Sequence, residues 1–191
     1  MGNSSSRRRA AIERQQQIQT KAGGVDLRDP PPRFVADVML GRLARWLRIA
    51  GFDVLYSNRY SDDELVELSR GQGRILLSRD TRLLVRRSVT RFVFLESDRV
   101  QDQLRQIFRL TATTSLNLLF SRCLTCNEPL AEVQRENIRE RVPPFVFETQ
   151  KLFKSCPRCR KIYWPGTHRP AVVRVLEKLV DGAQAGAWPH P

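Results

Sequence analysis

Four cysteines in two Cys-x-x-Cys pairs restrict what this chain can fold into. Cys123 and Cys126 form the first pair, Cys156 and Cys159 the second, with 29 residues between the pairs. A two-residue spacing lets each pair present both sulfurs to one tetrahedral metal ion, and four thiolates favour zinc. Two disulfides or free thiols are the alternatives, but no apolar signal segment follows the first residue, and a reducing compartment favours metal. The pairs therefore predict a closed structural zinc site, for which His168 is a weak substitute ligand.

The chain also carries a large positive charge. Its 191 residues include 33 Lys and Arg against 20 Asp and Glu, which gives a net charge of +13 and a pI near 10.7. Such a field attracts polyanions and repels basic partners, and nucleic acid is the polyanion that fits best. Solubility or contact with membrane lipid is the simpler alternative. No apolar run approaches the ~18 residues of a transmembrane helix, so we expect a cytoplasmic protein.

Residues 1–33 are expected to form a flexible basic arm, since they hold Ser, Arg and Gln clusters and three consecutive prolines but few large apolar groups. We expect a short helix over residues 9–21 within it. The first six residues also fit the N-myristoylation pattern at Gly2, and Arg7–Arg9 would add an electrostatic membrane signal. The arm is therefore a candidate for weak membrane contact, nucleic-acid contact or protein contact.

Beyond the arm, strand patterns alternate with helix patterns. Apolar strands are predicted at residues 34–36, 52–56, 74–78 and 92–95. Helices are predicted over about 40–47, from an S-x-x-E capping box at Ser61, over 83–85 and over 99–110. Gly51 is placed to end the first helix in the left-handed conformation. The alternation predicts an α/β domain over residues 34–115, with a parallel sheet and flanking helices.

The cysteine pairs lie in a predicted second module, residues 116–180, which comprises a zinc ribbon and a closing helix and is followed by a tail over residues 181–191. The β-branched and aromatic stretches Phe145–Phe147 and Ile162–Tyr163 are predicted ribbon strands. Pro157 is expected in a turn.

Carboxylates follow several predicted strands. Asp37 comes after the first strand, Asp80 after the third and Asp98 after the fourth, while Asp62 and Asp63 open a helix. Because the carboxyl ends of parallel strands share one edge, these acids are expected to converge there. Clustered carboxylates repel one another but become favourable around Mg²⁺ or Mn²⁺, which would support phosphodiester hydrolysis. Helix-dipole or turn roles are the simpler alternatives.

Basic and aromatic residues are concentrated in the ribbon. Residues 151–178 hold eight Lys and Arg against Glu177. Tyr163 and Trp164 lie among them and offer faces for unpaired bases, although both could instead pack the ribbon core. Arginines near the acids could hold substrate phosphates. The predicted RNA contacts are Arg42, Arg45, Arg79, Arg82, Lys154, Arg158, Arg160, Lys161 and Trp164.

Four ordered motifs resemble the Mut-seven C-terminal RNase family. They are Phe34–Arg48, Ile75–Asp80, Cys123–Asn127 and Ile162–His168. The resemblance spans residues 34–180 and implies a PIN-like fold, ribonuclease activity, divalent metal at the acids matching Asp37 and Asp80, and a zinc ribbon that assists RNA binding. Two positions depart mildly from the family pattern, because Val38 is more often basic or polar there and Ser78 is commonly Thr.

We therefore expect a metal-dependent endoribonuclease in which Asp37, Asp62 and Asp80, with Asp63 or Asp98, hold one or two Mg²⁺ or Mn²⁺ ions. RNA is the expected partner, with the ribosome or tRNA as candidates. A non-catalytic RNA-binding or ribosome-associated protein is the main alternative. A toxin-like nuclease restrained by a partner is a third.

Overall fold

The computed structural model describes Glu13 and residues 32–113 and 115–184. The predicted basic arm lies outside these ranges except at Glu13, Pro32 and Arg33, and the tail lies outside them from residue 185 onward. Within them, the chain forms a parallel sheet with helices on both faces and a small antiparallel sheet that carries the cysteines.

The parallel sheet has four strands, Arg33–Ala36 (β1), Asp53–Tyr56 (β2), Ile75–Ser78 (β3) and Phe92–Phe94 (β4). Their order is β2-β1-β3-β4, and each neighbouring pair is parallel. The α/β prediction is thus confirmed. From β1, the chain moves first outward to β2 and then back past β1 to β3, so the order reverses between β1 and β3. In open α/β sheets a crevice forms at this switch point, at the carboxyl ends of the strands.

Helices connect the strands at the positions that their sequence signals predict. At Ser61 the capping box is present, since the Ser61 Oγ accepts the Glu64 N–H and the Glu64 carboxylate accepts the Ser61 N–H. Gly51 has a φ of +99°, and a Cβ there would lie 2.5 Å from the Leu118 Cβ. In the described part of the chain, no helix is long and apolar enough to cross a membrane. The α-helices are Gly41–Ile49 (α1), Asp62–Gly71 (α2), Thr81–Leu84 (α3), Val100–Leu110 (α4), Pro144–Thr149 (α5) and Arg169–Gln184 (α6).

Alternate residues of the strands enter two separate cores. One core joins Phe34 and Leu77 of the sheet to α1, α4 and α6. The other joins Val35 and Leu76 to α2 and α3. Helix α6 packs along α4 and buries Leu176 in the first core. The closing helix therefore packs against the α/β sheet, although it follows the small antiparallel sheet in sequence.

The small sheet consists of Ala131–Glu132 (β5), Lys154–Ser155 (β6) and Ile162–Tyr163 (β7), in the antiparallel order β5-β6-β7. The strand predicted at Ile162–Tyr163 is confirmed.

The strand predicted at Phe145–Phe147 is wrong, because this stretch lies inside the helix α5. Pro144 occupies the first turn of α5, where its fixed φ suits a helix and its missing N–H costs nothing. The Phe147 side chain packs against the small core around Ile138 and Phe153, beneath the guanidinium of Arg135. Tertiary packing therefore outweighs the β-propensity of this aromatic and β-branched stretch.

Candidate functional site

Asp37 and Asp80 follow the neighbouring strands β1 and β3, and Ser78 links them. The Ser78 hydroxyl donates to Asp37 Oδ2 at 2.5 Å and accepts the Asp80 N–H at 2.8 Å. The Asp37 Oδ1 accepts the Val38 N–H at 2.6 Å, and Asp37 is only 4% exposed. These bonds hold the Asp37 carboxylate in one orientation at the switch point of the sheet.

Asp80 is fixed in a different way, as the N-cap of α3. Its Oδ1 accepts the Arg82 N–H at 2.7 Å, which satisfies one of the free donors at the start of the helix. Its Oδ2 makes no hydrogen bond to any residue that the structure describes. One carboxylate oxygen of Asp80 is therefore left to interact with a ligand.

The other predicted acids make different contacts. Asp62 and Asp63 are exposed at the start of α2 and contact Arg86, with N–O distances of 3.8 and 2.5 Å. Asp98 is exposed and lines a cleft that neither Asp37 nor Asp80 lines. Among the described residues, no group of three or more carboxylates is placed so that it could hold a metal ion. The structure thus links two of the five predicted acids, through the Ser78 hydroxyl and the backbone N–H of Asp80.

That cleft has a volume of about 720 Å³ and lies between the start of α1 and the start of α4. Two of the arginines predicted to contact RNA, Arg42 and Arg79, line it. Arg45 and Arg82 are exposed on α1 and α3 but do not line it. The four predicted arginines therefore divide into two cleft residues and two general surface residues.

The four cysteines form the second constellation. Their sulfur atoms all lie within 4.8 Å of one another, and the Sγ atoms of Cys123 and Cys159 are 3.6 Å apart. This arrangement could hold a zinc ion, because four thiolate ligands converge on one point and no position is left for a substrate. His168 is not part of the cluster.

Each cysteine pair sits in the same kind of turn. The backbone N–H of Cys126 donates to the Cys123 Sγ at 3.3 Å, and that of Cys159 donates to the Cys156 Sγ at 3.4 Å. The residues that follow, Asn127 and Arg160, have φ values of +68° and +60°. Such N–H donors stabilise the charge of a metal-bound thiolate and orient it.

Tyr163 belongs to this centre. Its hydroxyl lies 3.2 Å from the Cys123 Sγ and accepts the Leu124 N–H at 3.1 Å. Burial raises the pKa of the Cys123 thiol, but hydrogen bonds from Tyr163, from backbone N–H groups and from Cys159 outweigh it and lower that pKa to about 6. Burial and the neighbouring Cys159 and Cys123 sulfurs raise the pKa of Cys126 to about 12. Without a cation the cluster thus favours charge on one sulfur, and metal binding would require the others to deprotonate.

Arg48 anchors the first cysteine turn to the sheet. Its guanidinium donates to the Val54 carbonyl of β2 at 2.8 and 3.0 Å. It also donates to the carbonyls of Leu124 and Thr125, at 3.0 and 3.2 Å. Burial lowers the pKa of Arg48, and negative charge on Cys123 opposes that shift. This arginine is therefore both a hydrogen-bond bridge and a positive charge beside the thiolates.

The basic residues predicted to contact RNA near the cysteines are partly engaged within the protein. The Lys161 Nζ donates to the Thr125 Oγ1 at 2.9 Å, and Arg158 lies 3.9 Å from Glu128. Arg160 is exposed and Lys154 is half-buried. Trp164 is 37% exposed, so part of its ring is open to solvent.

Sequence reasoning alone did not assign site roles to Ser78 and Asn127, and it treated Tyr163 as a stacking or core residue. For Ser78 a signal existed, since a hydroxyl two residues before an acid can accept that acid's N–H. For Asn127 the signal was an asparagine just after a Cys-x-x-Cys pair, where a left-handed residue is needed. The Tyr163 contact crosses 40 residues of sequence and had no local signal.

Of the comparisons with known proteins, the one against family models gave a match. A search of curated proteins and a search of solved structures gave no match. A family model described as the Mut7-C RNAse domain matches residues 32–176. The match covers most of the chain, from the strand before Asp37 to helix α6, and it includes all four cysteines. The chain therefore belongs to the Mut7-C RNAse domain family.

Proposed function

We propose that this protein is a metal-dependent endoribonuclease that hydrolyses RNA phosphodiester bonds at Asp37 and Asp80. Family membership supports a ribonuclease. The observation that carries the assignment to these residues is the Ser78 bridge, which fixes Asp37 and the backbone of Asp80 together at the switch point of the sheet.

The chemistry of the two acids fits a hard divalent cation. Mg²⁺ and Mn²⁺ prefer oxygen ligands, and Mg²⁺ is commonly held by one or two carboxylates while water and substrate phosphates complete its shell. Asp37 and Asp80 would hold this ion, which supplies charge stabilisation and activates water in phosphodiester hydrolysis. Two carboxylates are therefore enough protein ligands for such an ion.

The protein's own groups would then position the reaction. Ser78 donates to Asp37 Oδ2, and the Val38 N–H donates to Oδ1, so this buried carboxylate cannot turn away from the edge of the sheet. The N-cap bond of Asp80 holds Oδ1 and leaves Oδ2 directed to other partners. Preorganised charge of this kind lowers the reorganisation needed in the transition state.

Asp62, Asp63 and Asp98 have a secondary place in this proposal. Asp62 and Asp63 contact Arg86, and Asp98 lies in the neighbouring cleft. We propose that they modulate the site, by orienting water or a second ion, and that their loss is less severe than the loss of Asp37 or Asp80.

We also propose that the cysteine centre is a structural zinc site and that the second module is a zinc ribbon joined to a PIN-like domain. The four sulfurs form a closed ligand set, so the zinc would stabilise the fold and perform no chemistry. Exposed Arg158, Arg160 and Lys161, with Trp164 and Lys154, would assist RNA binding in a cytoplasmic setting.

A nuclease assay tests the catalytic proposal. Labelled single-stranded RNA is incubated with wild type, Asp37→Asn, Asp80→Asn and a surface control, Glu67→Gln, with and without Mn²⁺. We expect cleavage only with the cation, a loss of at least about 100-fold in each Asp variant, in line with removing a key catalytic group, and no loss in Glu67→Gln. Cleavage that persists in both Asp variants contradicts the assignment.

A non-catalytic RNA-binding or ribosome-associated role is the second candidate. It is favoured by the contacts of Asp62 and Asp63 with Arg86, which give these acids a partner other than a metal ion. Under this alternative, wild type and both Asp variants bind RNA equally and leave it intact.

A further inference from the structure

The cleft beside the acidic pair has the features of a ligand site of its own. It lies on the α1 and α4 side of the sheet and is lined by Met39, Arg42, Arg79 and Arg99, among others. Arg79 lies between Ser78 and Asp80 in the chain, so the wall of the cleft is continuous with the loop that carries the proposed catalytic acid.

The charge of the cleft is positive and incompletely neutralised. Arg42, Arg79 and Arg99 have no carboxylate oxygen within 4.0 Å in the described ranges, whereas Asp102 already pairs with Arg105 at 2.6 Å. That leaves Asp98 as the other acid of the lining. Three unpaired guanidinium groups around one concave surface attract an anion.

Donors without an acceptor belong to residues that line the cleft. The Nε of Arg79 is shielded from solvent and has no hydrogen-bond partner among the described residues. Helix α4 begins at the cleft with Arg99 as N-cap and without a side-chain cap, so the N–H groups of Val100 and Gln101 have no acceptor among the described residues. An oxygen-rich anion in the cleft would satisfy the free N–H groups at the start of α4.

One lip of the cleft is apolar. Met39 lines the cleft and is 56% exposed, and it comes two residues after Asp37. A flexible, polarizable thioether in this position can pack against the flat face of a nucleobase. The cleft thus combines anion recognition with an apolar contact, next to the proposed cleavage site.

We propose that this cleft is a subsite for unpaired RNA, in which Arg79, Arg42 and Arg99 hold the phosphate next to the cleaved one and Met39 contacts the attached base. The proposal rests on the proposed nuclease function and deepens it. A volume of about 720 Å³ suits one or two nucleotides but not a helical segment. Bases of a duplex are stacked and paired, so a duplex must break a base pair to place a nucleotide in such a cleft, whereas an unpaired strand need not.

The test measures binding and does not depend on cleavage. An Asp37→Asn background keeps the RNA intact, and the affinity for a fluorescent single-stranded RNA is measured over a range of salt concentrations. Arg79→Ala and Arg99→Ala are compared with Arg109→Ala, which removes the same charge from the exposed far end of α4. We expect each cleft variant to lose about tenfold in affinity and about one unit of salt slope, and Arg109→Ala to lose less than about twofold.

A duplex of the same sequence provides the second arm. We expect the cleft variants and Arg109→Ala to bind it alike, because a duplex cannot enter the cleft. Melting temperatures establish that each variant is folded, and exposed Arg99 keeps the test informative should Arg79→Ala fail to fold. The proposal is overturned if cleft and control variants lose equal affinity for the single strand. It is also overturned if the cleft variants lose as much affinity for the duplex as they lose for the single strand. If the wild-type protein binds the single-stranded RNA but does not cleave it, the nuclease proposal fails, whereas the RNA subsite is still tested by the binding data.

Discussion

Asn127 joins the first cysteine turn to the sheet through Asp53. The Asn127 Nδ2 donates to Asp53 Oδ1 at 2.7 Å, and the Asn127 Oδ1 accepts the Val54 N–H at 2.9 Å. The same residue adopts the left-handed φ of +68° that the turn requires after Cys126. The cysteine centre is thus hydrogen-bonded to the start of β2, at the end of the sheet opposite Asp37.

Asn127 and Arg160, the left-handed residues that follow the two cysteine pairs, should respond differently to substitution by glycine. Asn127→Gly keeps the turn but removes both side-chain bonds, and an unpaired buried Val54 N–H should lower the free energy of unfolding by about 2 kcal/mol. Arg160→Gly relieves a left-handed non-glycine residue whose side chain is exposed, so its effect should lie between neutral and about 1 kcal/mol stabilising. Denaturant unfolding of the zinc-loaded proteins measures both, and equal destabilisation would contradict the role of Asn127.

The Asp53 carboxylate should make stability depend on acid pH. Burial raises the pKa of Asp53, but hydrogen bonds from Arg74 and Asn127 and the charges of Arg74 and Arg122 outweigh it, and the net pKa is lowered. A lowered folded pKa contributes stability that is present above the ordinary Asp value near 3.9 and disappears as the pH falls through the folded value.

Asp53→Asn should accordingly cost about 3 kcal/mol at neutral pH, because it leaves the buried guanidinium of Arg74 without its 2.6 Å partner. The difference from wild type should shrink below about pH 4. Unfolding of both proteins is measured at matched pH values, with the half-exposed pair variant Asp102→Asn as control. If the difference in unfolding free energy between wild type and Asp53→Asn stays constant from neutral to acid pH, the Asp53 charge does not make stability depend on pH.

The Tyr163 hydroxyl should support metal binding. Tyr163→Phe removes a donor to the Cys123 Sγ and the acceptor of the Leu124 N–H, and loss of such an outer contact typically weakens a metal site by roughly 10- to 100-fold. Competition with a chromogenic chelator measures the zinc affinity. Tyr60→Phe is the matched control, and an equal effect in both variants would assign the loss to general destabilisation.

Zinc removal should destabilise the protein beyond the ribbon. We expect about one zinc per chain, none in Cys156→Ser, and faster amide exchange at Val54 once the metal is removed, because that amide is bonded to the cysteine turn. Mass spectrometry of the native protein and hydrogen exchange measure these quantities. A Cys156→Ser variant that keeps its zinc and its exchange protection would argue against the site.

Gly41 permits a close contact near the acidic pair. A Cβ on Gly41 would lie 2.5 Å from the Tyr56 hydroxyl oxygen, and that hydroxyl donates to the Val38 carbonyl at 3.0 Å. Gly41→Ala should therefore displace the turn after Asp37 and lower both stability and RNA cleavage, by about 1–3 kcal/mol for stability, as for overpacking. Tyr56→Val in the same chain should restore part of the stability. Additive losses in the double variant would exclude the steric explanation.

Local features of the sequence were sufficient to predict much of the fold. The strands around Val35 and Leu76, the capping box at Ser61 and the turn at Gly51 all depend on residues within a few positions of one another. The cysteine spacing is also local, because two intervening residues are enough to bring both sulfurs of a pair to one side of a turn.

Tertiary structure decided which of these local features act together. The order β2-β1-β3-β4 placed Asp37 beside Asp80 through Ser78, while Arg86 holds Asp62 and Asp63 in another contact. The Phe145–Phe147 stretch became helical because Pro144 starts a helix there and Phe147 enters a small core. The bonds of Asn127 to β2 and of Tyr163 to Cys123 join residues 40 or more positions apart. Local sequence patterns carry no information about such pairings, since they form only when strand order and packing bring distant segments together.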